Sequence, residues 1–189
     1  GLEYETHIID IRAGEQRTSE FLSLNPNGKI PVIVDPQGPG GEPITLSESG
    51  AILYYLAQKT GQFLPDRGPV HFYTMQWLFF QMAQVGPMFG QCGHFLGYAP
   101  ERIPYAIERY RNETLRLYAV LDRRLEDRAW LADDYSIADI AIAPWLRALD
   151  FYGAREMVGW DDHKNAVAYL ERFLARPAVK KGLVTPPRD

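Results

Sequence analysis

Only one cysteine, Cys92, occurs in the sequence, which excludes an internal disulfide and any paired-cysteine redox or zinc motif. Histidine is equally sparse: His7, His71, His94 and His163 are scattered with no ligand spacing among them, so no metal site is expected. No apolar run approaches the roughly 20 residues needed to span a bilayer, and no signal-peptide pattern is present. An excess of basic charge is missing too. The formal net charge is −4, whereas a phosphate-binding surface needs clustered Lys and Arg. Neither nucleic acid nor a membrane is therefore expected as a partner, and a lone thiol points to a reducing, cytoplasmic location.

What is present is enough to bury a substantial core. The 189 residues are 46% hydrophobic and 23% charged, which suits one large or two small globular domains. Pro65-Asp66-Arg67-Gly68-Pro69 reads as a linker, with mixed α/β composition before it and helical patterning after it. Before the linker, Tyr4 to Asp10 is strand-like and Ser19 to Leu24 allows a short helix. Val32 to Asp35 and Ile44 to Leu46 form an antiparallel hairpin, and Ser49 to Thr60 is a helix closed by Gly61. After it, a helix over Val70 to Phe89 should kink or break at Gly86-Pro87, leaving Cys92 to Pro100 as a connection. Ile107, Tyr110, Thr114, Leu117, Leu121 and Leu125 recur every three or four residues in a helix begun by Pro104. Ser136 and Asp139 have capping-box spacing at the start of a nearly all-apolar helix, Ile137 to Leu149, and a last helix spans Lys164 to Ala175.

Two runs carry chemistry. Asn25-Pro-Asn-Gly-Lys-Ile-Pro-Val-Ile-Val-Asp35 is a turn cluster entering a strand through Pro31. Proline donates no hydrogen bond and is confined to strand starts and edges, so backbone groups beside it stay free for an extended ligand. Leu46-Ser-Glu-Ser-Gly-Ala-Ile-Leu-Tyr-Tyr-Leu56 places Glu48 and Ser49 before an apolar helix, with Ser49 expected as its cap and free N–H groups suited to a carboxylate. Together they read as a peptide clamp with an anion pocket at one end.

These runs resemble the glutathione site of the glutathione S-transferase superfamily, and the resemblance covers essentially the whole chain. The wording around residues 25–31, Gly-Gly-Glu-Pro at 40–43, Gly86-Pro-Met, and Ile103-Pro-Tyr-Ala-Ile-Glu-Arg-Tyr110 is most similar to the bacterial nu-class branch, which acts as a glutathione-dependent disulfide-bond reductase. The resemblance implies an α/β plus all-α fold: a thioredoxin-like N-terminal domain over 1–65, then an all-helical domain over 66–189. It makes residues 4–10 that domain's second strand, with the first strand and first helix absent from this sequence and belonging to a longer molecule. It implies a cis peptide bond at Ile30-Pro31, glutathione as co-substrate without a metal, and a homodimer.

The same resemblance assigns the glutathione contacts residue by residue. The Ile30 backbone, held by Pro31, pairs with the cysteinyl portion, and Glu48 with Ser49 holds the γ-glutamyl end. Lys29 reaches the glycyl carboxylate, Gln16 contacts glutathione from its polar loop, and Arg109 reaches across the dimer interface to the partner's glutathione. Each has a plainer structural reading: an edge-strand proline, an ordinary helix start, a solvated turn lysine, a surface glutamine. Arg109 shares a polar helical face with Glu108, Arg111, Asn112 and Glu113. The thiol-activating hydroxyl or amide of the family lies at the end of the first strand, so no catalytic residue is assigned in this sequence, and Cys92 is read as inert. Two alternative functions stay open: conjugation of glutathione to electrophiles, and a non-catalytic glutathione-binding or scaffold module.

Overall fold

The computed structural model describes residues 1–187, apart from the side chains at 151 and 152. The last two positions of the expected helical domain lie outside that range. Residues 1–10 run without regular structure, which corrects the strand expected over Tyr4 to Asp10. A strand exists only where a neighbour pairs its N–H and C=O groups. The described backbone hydrogen bonds of this segment are confined to Asp10, which meets Glu15, and Tyr4, Ile8 and Ile11 are exposed.

Helix α1 (Ser19–Leu24) starts where the Thr18 side chain accepts a hydrogen bond from the Phe21 N–H at 3.3 Å. Strands β1 (Val32–Asp35) and β2 (Ile44–Ser47) pair antiparallel in a two-stranded sheet, with Val32 opposite Ser47 and Asp35 opposite Ile44. Helix α2 (Ser49–Thr60) follows at once and ends at Gly61 in a left-handed conformation, as glycine permits. Asp35, at the far end of β1, accepts hydrogen bonds from Tyr55 at 2.6 Å and from Lys59, tying the hairpin to α2. Those contacts and the Gln37 N–H hold the Asp35 carboxyl down at about 2.

The remainder is helical: α3 (Pro69–Phe80), α4 (Gly86–Gly93), α5 (Pro104–Arg124), α6 (Ile137–Tyr152), α7 (Lys164–Ala175) and α8 (Pro177–Gly182). Wide turns over Gln81–Val85 and His94–Tyr98 join α3 to α4 and extend α4 to Tyr98. The regular α-helix expected to kink or break at Gly86-Pro87 is thus interrupted just before that pair, but by a wide turn rather than a break, and the chain stays helical through the proline. Cys92 accordingly lies inside α4, 1% exposed, rather than in a connection.

The core lies among α3 to α7, centred on Val85, Phe89, Leu117, Tyr118, Leu121, Ile142 and Leu146. A second cluster joins Ala57 of α2 and Leu64 to Leu78, Ile137 and Ala141, so the hairpin unit packs directly on the helical one. The capping box at α6 forms as its spacing predicts. The buried Asp139 carboxylate accepts hydrogen bonds from the backbone N–H groups of Leu131 at 3.0 Å and Ser136 at 2.9 Å. The Ile137 N–H donates to the Phe63 carbonyl at 3.0 Å, fastening the helix start to the end of the first unit.

Candidate functional site: the open end of the hairpin

The register of β1 and β2 decides the geometry. Val32 is opposite Ser47, so the residues just before β1 and just after β2 lie at the same end of the hairpin. Those residues are Lys29, Ile30 and Pro31 on one side, Glu48 and Ser49 on the other. The two motifs, 17 positions apart in sequence between Pro31 and Glu48, thus meet at the hairpin's open end.

Each side presents unpaired backbone. Ile30 is 50% exposed, and among the described residues neither its N–H nor its C=O has a protein partner. The Ile30-Pro31 bond is cis. On the other side Glu48, not Ser49, is the residue flanking the helix, which corrects the expected Ser49 cap. Glu48 holds φ 68° and ψ 115°, outside helical space, while Ser49 is already in the helix, so the helix starts one residue earlier than a serine cap requires. A positive φ is costly for a residue with a Cβ and is seen where surrounding structure enforces it, often at ligand clamps. No side chain caps α2. The N–H groups of Ser49, Gly50 and Ala51 therefore have no intrahelical partner, and the positive end of the helix dipole favours an anion there.

The Ser49 hydroxyl is exposed and its one contact is weak, a donation to the Met82 sulfur at 4.0 Å. Met82 reaches this point from the helical unit and lies over Gly50. A Cβ on Gly50 would stand 2.9 Å from the Met82 methyl carbon and 3.0 Å from its sulfur, so only glycine fits without displacing it. Neither Gly50 nor Met82 stood out in the sequence. Gly50 sits beside a flagged serine, but nothing local announces that a methionine 32 positions away needs the space.

Gln16 and Lys29 complete the edge of the site. Gly28 adopts φ 62°, and a Cβ there would approach the Gln16 carbonyl oxygen to 3.2 Å, so the loop of residues 25–29 lies directly against the loop holding Gln16. The Gln16 amide nitrogen donates to the Ile11 carbonyl at 3.2 Å, while its side-chain oxygen is buried without a partner. A buried acceptor of this kind requires a donor from water or a ligand. Lys29 is exposed and forms no ion pair among the described residues.

Arg109 stands apart from this group. It lines a polar surface cavity of about 420 Å³ on α5 with Tyr105, Glu108, Asn112, Glu113 and Arg116, to which no residue before 69 contributes. Arg116 donates to Glu113 at 2.7 Å and holds that carboxyl below its ordinary value, with Arg109 adding a smaller effect. Cys92 offers no reactive thiolate, because burial pushes its pKa up. Among the described residues no group of three or more His, Cys, Asp or Glu is placed to hold a metal ion, and no helix is long and apolar enough to cross a membrane.

Two family descriptions match the sequence: glutathione S-transferase, N-terminal domain, over residues 1–59, and glutathione S-transferase, C-terminal domain, over residues 104–172. Disulfide-bond oxidoreductase YfcG of Escherichia coli is 47% identical over 97% of this chain and 84% of its own length. Disulfide-bond oxidoreductase YghU of the same organism is 40% identical over 97% of this chain and 65% of its own length. Among solved structures, a glutathione transferase of Burkholderia graminis with two glutathione molecules bound per subunit superposes with a TM-score of 0.97. It is 49% identical, covering all of this chain and 80% of its own. A glutathione transferase of Pseudomonas putida with one glutathione disulfide bound per subunit gives a TM-score of 0.95 at 49% identity, covering 98% of this chain and 82% of its own.

Proposed function

Because the chain belongs to the glutathione S-transferase family, with a thioredoxin-like N-terminal unit and a helical C-terminal one, we propose that it uses bound glutathione to reduce disulfides. The observation that carries this reading is the register at the open end of the hairpin, which sets an unpaired extended backbone beside an uncapped helix start. Glutathione is an extended tripeptide with a carboxylate at each end, and those two features match it.

In this reading the Ile30 backbone, held at the strand entrance by Pro31, pairs with the cysteinyl segment. The γ-glutamyl carboxylate takes hydrogen bonds from Ser49 and the first-turn N–H groups of α2, while Glu48 lies near the γ-glutamyl ammonium. Lys29 attracts the glycyl carboxylate, and the orphan oxygen of Gln16 accepts from a ligand or solvent donor. Arg109 serves the partner subunit's glutathione in a homodimer. We place the boundary between the two domains at Pro65/Asp66 and the protein in the cytoplasm.

The redox thiols belong to the ligand. Two glutathione molecules give up two electrons and two protons and become glutathione disulfide, while the target disulfide becomes two thiols. A free thiol has a pKa near 8.5, so the thiolate fraction at neutral pH is small, and each unit of lowering requires about 1.4 kcal/mol of preferential anion stabilisation. The reductase half of the proposal is supported by the likeness to YfcG and YghU.

The test is a pair of assays on the complete protein with glutathione, one with 2-hydroxyethyl disulfide and one with an aryl halide. Faster turnover of the disulfide is expected. Faster turnover of the aryl halide would establish conjugation instead, and turnover of neither, with no glutathione binding, would leave a scaffold.

A further inference from the structure

Asn25 sits at the C-terminal end of α1, 2% exposed, and uses its side chain in two directions. Its amide nitrogen donates to the Lys29 carbonyl at 2.6 Å, and its amide oxygen accepts from the Asn27 N–H at 3.0 Å. Its backbone accepts from the Gly28 N–H at 3.0 Å and donates to the Phe21 carbonyl at 2.9 Å. One buried residue therefore ties the end of α1 to the whole loop of residues 25–29.

The bond to the Lys29 carbonyl has a consequence one residue on. The carbonyl of Lys29 and the N–H of Ile30 belong to one peptide unit, which is trans, the cis bonds being those before Pro31 and Pro186. In a trans unit the six atoms are coplanar and the C=O and N–H point in opposite directions. Pulling the carbonyl oxygen toward the buried Asn25 fixes the Ile30 N–H away from the interior, toward the exposed side of the loop where it has no protein partner.

We infer that Asn25 is a positioning residue for ligand binding: it holds the Lys29–Ile30 peptide plane so that the Ile30 N–H is presented to the ligand. This rests on the glutathione reading of the site. Asn25 itself does not touch the ligand; it acts through the peptide unit. The Asn27 side of its amide is a turn-forming contact of ordinary kind, whereas the Lys29 side faces the site.

The two contacts separate in a single variant. Asn25→Asp keeps an oxygen to accept from the Asn27 N–H but offers a carboxylate, without a donor, to the Lys29 carbonyl. Measured by calorimetry on the complete protein, its dissociation constant for glutathione should rise by about 10-fold or more, the range for loss of a buried hydrogen bond. The KM for glutathione should rise in step while kcat at saturation stays within about threefold, since the lost contact serves the ground-state complex and the transition state equally. Ile142→Val in the helical core is the stability control: it should lower the melting temperature and leave glutathione affinity unchanged. Equal glutathione affinity in Asn25→Asp and the unsubstituted protein overturns this inference alone. A loss of affinity in the Ile142→Val control as large as in Asn25→Asp also overturns it, by assigning the effect to stability. No glutathione binding by the unsubstituted protein overturns the glutathione reading and this inference with it.

Discussion

Replacing Ser49 by alanine separates binding from folding more cleanly than any other change at the site. The hydroxyl is exposed, and its partner within the protein is a sulfur at 4.0 Å, a contact too long to hold the helix start. Alanine is also the best helix former, so the first turn of α2 loses nothing by the exchange. The melting temperature of Ser49→Ala should therefore stay within about 2 °C of the parent, as expected for an exposed change that costs little. Ligand binding is different. A hydrogen bond from the serine hydroxyl to a carboxylate contributes about 1.5–3 kcal/mol, which corresponds to a 10- to 150-fold rise in the dissociation constant. The first-turn N–H groups remain, so binding should be weakened and not abolished. Titration calorimetry with glutathione reads the affinity, and S-methylglutathione, which keeps both terminal carboxylates, should lose the same factor. An affinity unchanged within twofold would refute the placement of the γ-glutamyl carboxylate at α2. So would a loss accompanied by a large fall in melting temperature, because the serine would then be a structural residue.

Three further outcomes follow from the geometry. Asp139→Ala leaves the buried Leu131 and Ser136 N–H groups without an acceptor, so urea unfolding should show a loss of about 2–4 kcal/mol; a loss below about 1 kcal/mol would mean that water or a shifted loop replaces the carboxylate. Asp35 is depressed from 3.8 to about 2 chiefly by its hydrogen bond from Lys59, then by that from Tyr55. A depressed carboxyl stabilises the fold fully above its unfolded value and loses that contribution as pH falls through about 2, so its NMR titration should have its midpoint near 2 and move upward in Lys59→Met. An unchanged midpoint in that variant would remove Lys59 as the cause. Cys92→Ser should retain most disulfide-reductase activity, and the native thiol should resist iodoacetamide because it is buried with a raised pKa; rapid alkylation, or loss of turnover in the serine variant at full folded population, would give the protein thiol a part in the chemistry.

What the sequence revealed divides along the range of the interactions involved. Gly61, Pro104 and the Ser136/Asp139 pair announced their helix ends correctly because capping acts within four residues. The hairpin was legible from Val32 to Leu46, one residue short of its observed end at Ser47, because two apolar runs flank a Gly/Pro-rich turn. Residues 4–10 have the composition of a strand, but a strand is a property of two segments and the second is not visible in one. Pro87 looked like a breaker because its missing N–H is a local fact, whereas the wide turn that absorbs it is set by packing of the surrounding helices. At the site, the residue types were visible and their roles only partly so. No local rule says that Glu48 takes a left-handed φ and displaces Ser49 from the cap. Asn25 was hidden inside a turn cluster: Asn-Pro-Asn-Gly contains two asparagines of equal turn propensity, and only the fold shows which one is buried.

The cross-tie from Asp35 to Tyr55 and Lys59 has a use in protein engineering. It anchors β1 to the helix that follows β2, so the hairpin's alignment is held from outside its own turn. The turn of residues 36–43 is thereby relieved of the task that a tight turn normally performs in fixing register. Within it, Gly38 is closed to change, since a Cβ would lie 2.5 Å from the Glu42 carbonyl oxygen, whereas Gly40 and Gly41 open onto empty space but hold φ of 71° and 84°, so both are kept as glycine. The junction between those two glycines is a graft point: a fluorophore tether, an affinity tag or a small inserted domain placed there would hang from the end of the hairpin opposite Ile30 and Ser49, reporting on the molecule without entering its ligand cleft.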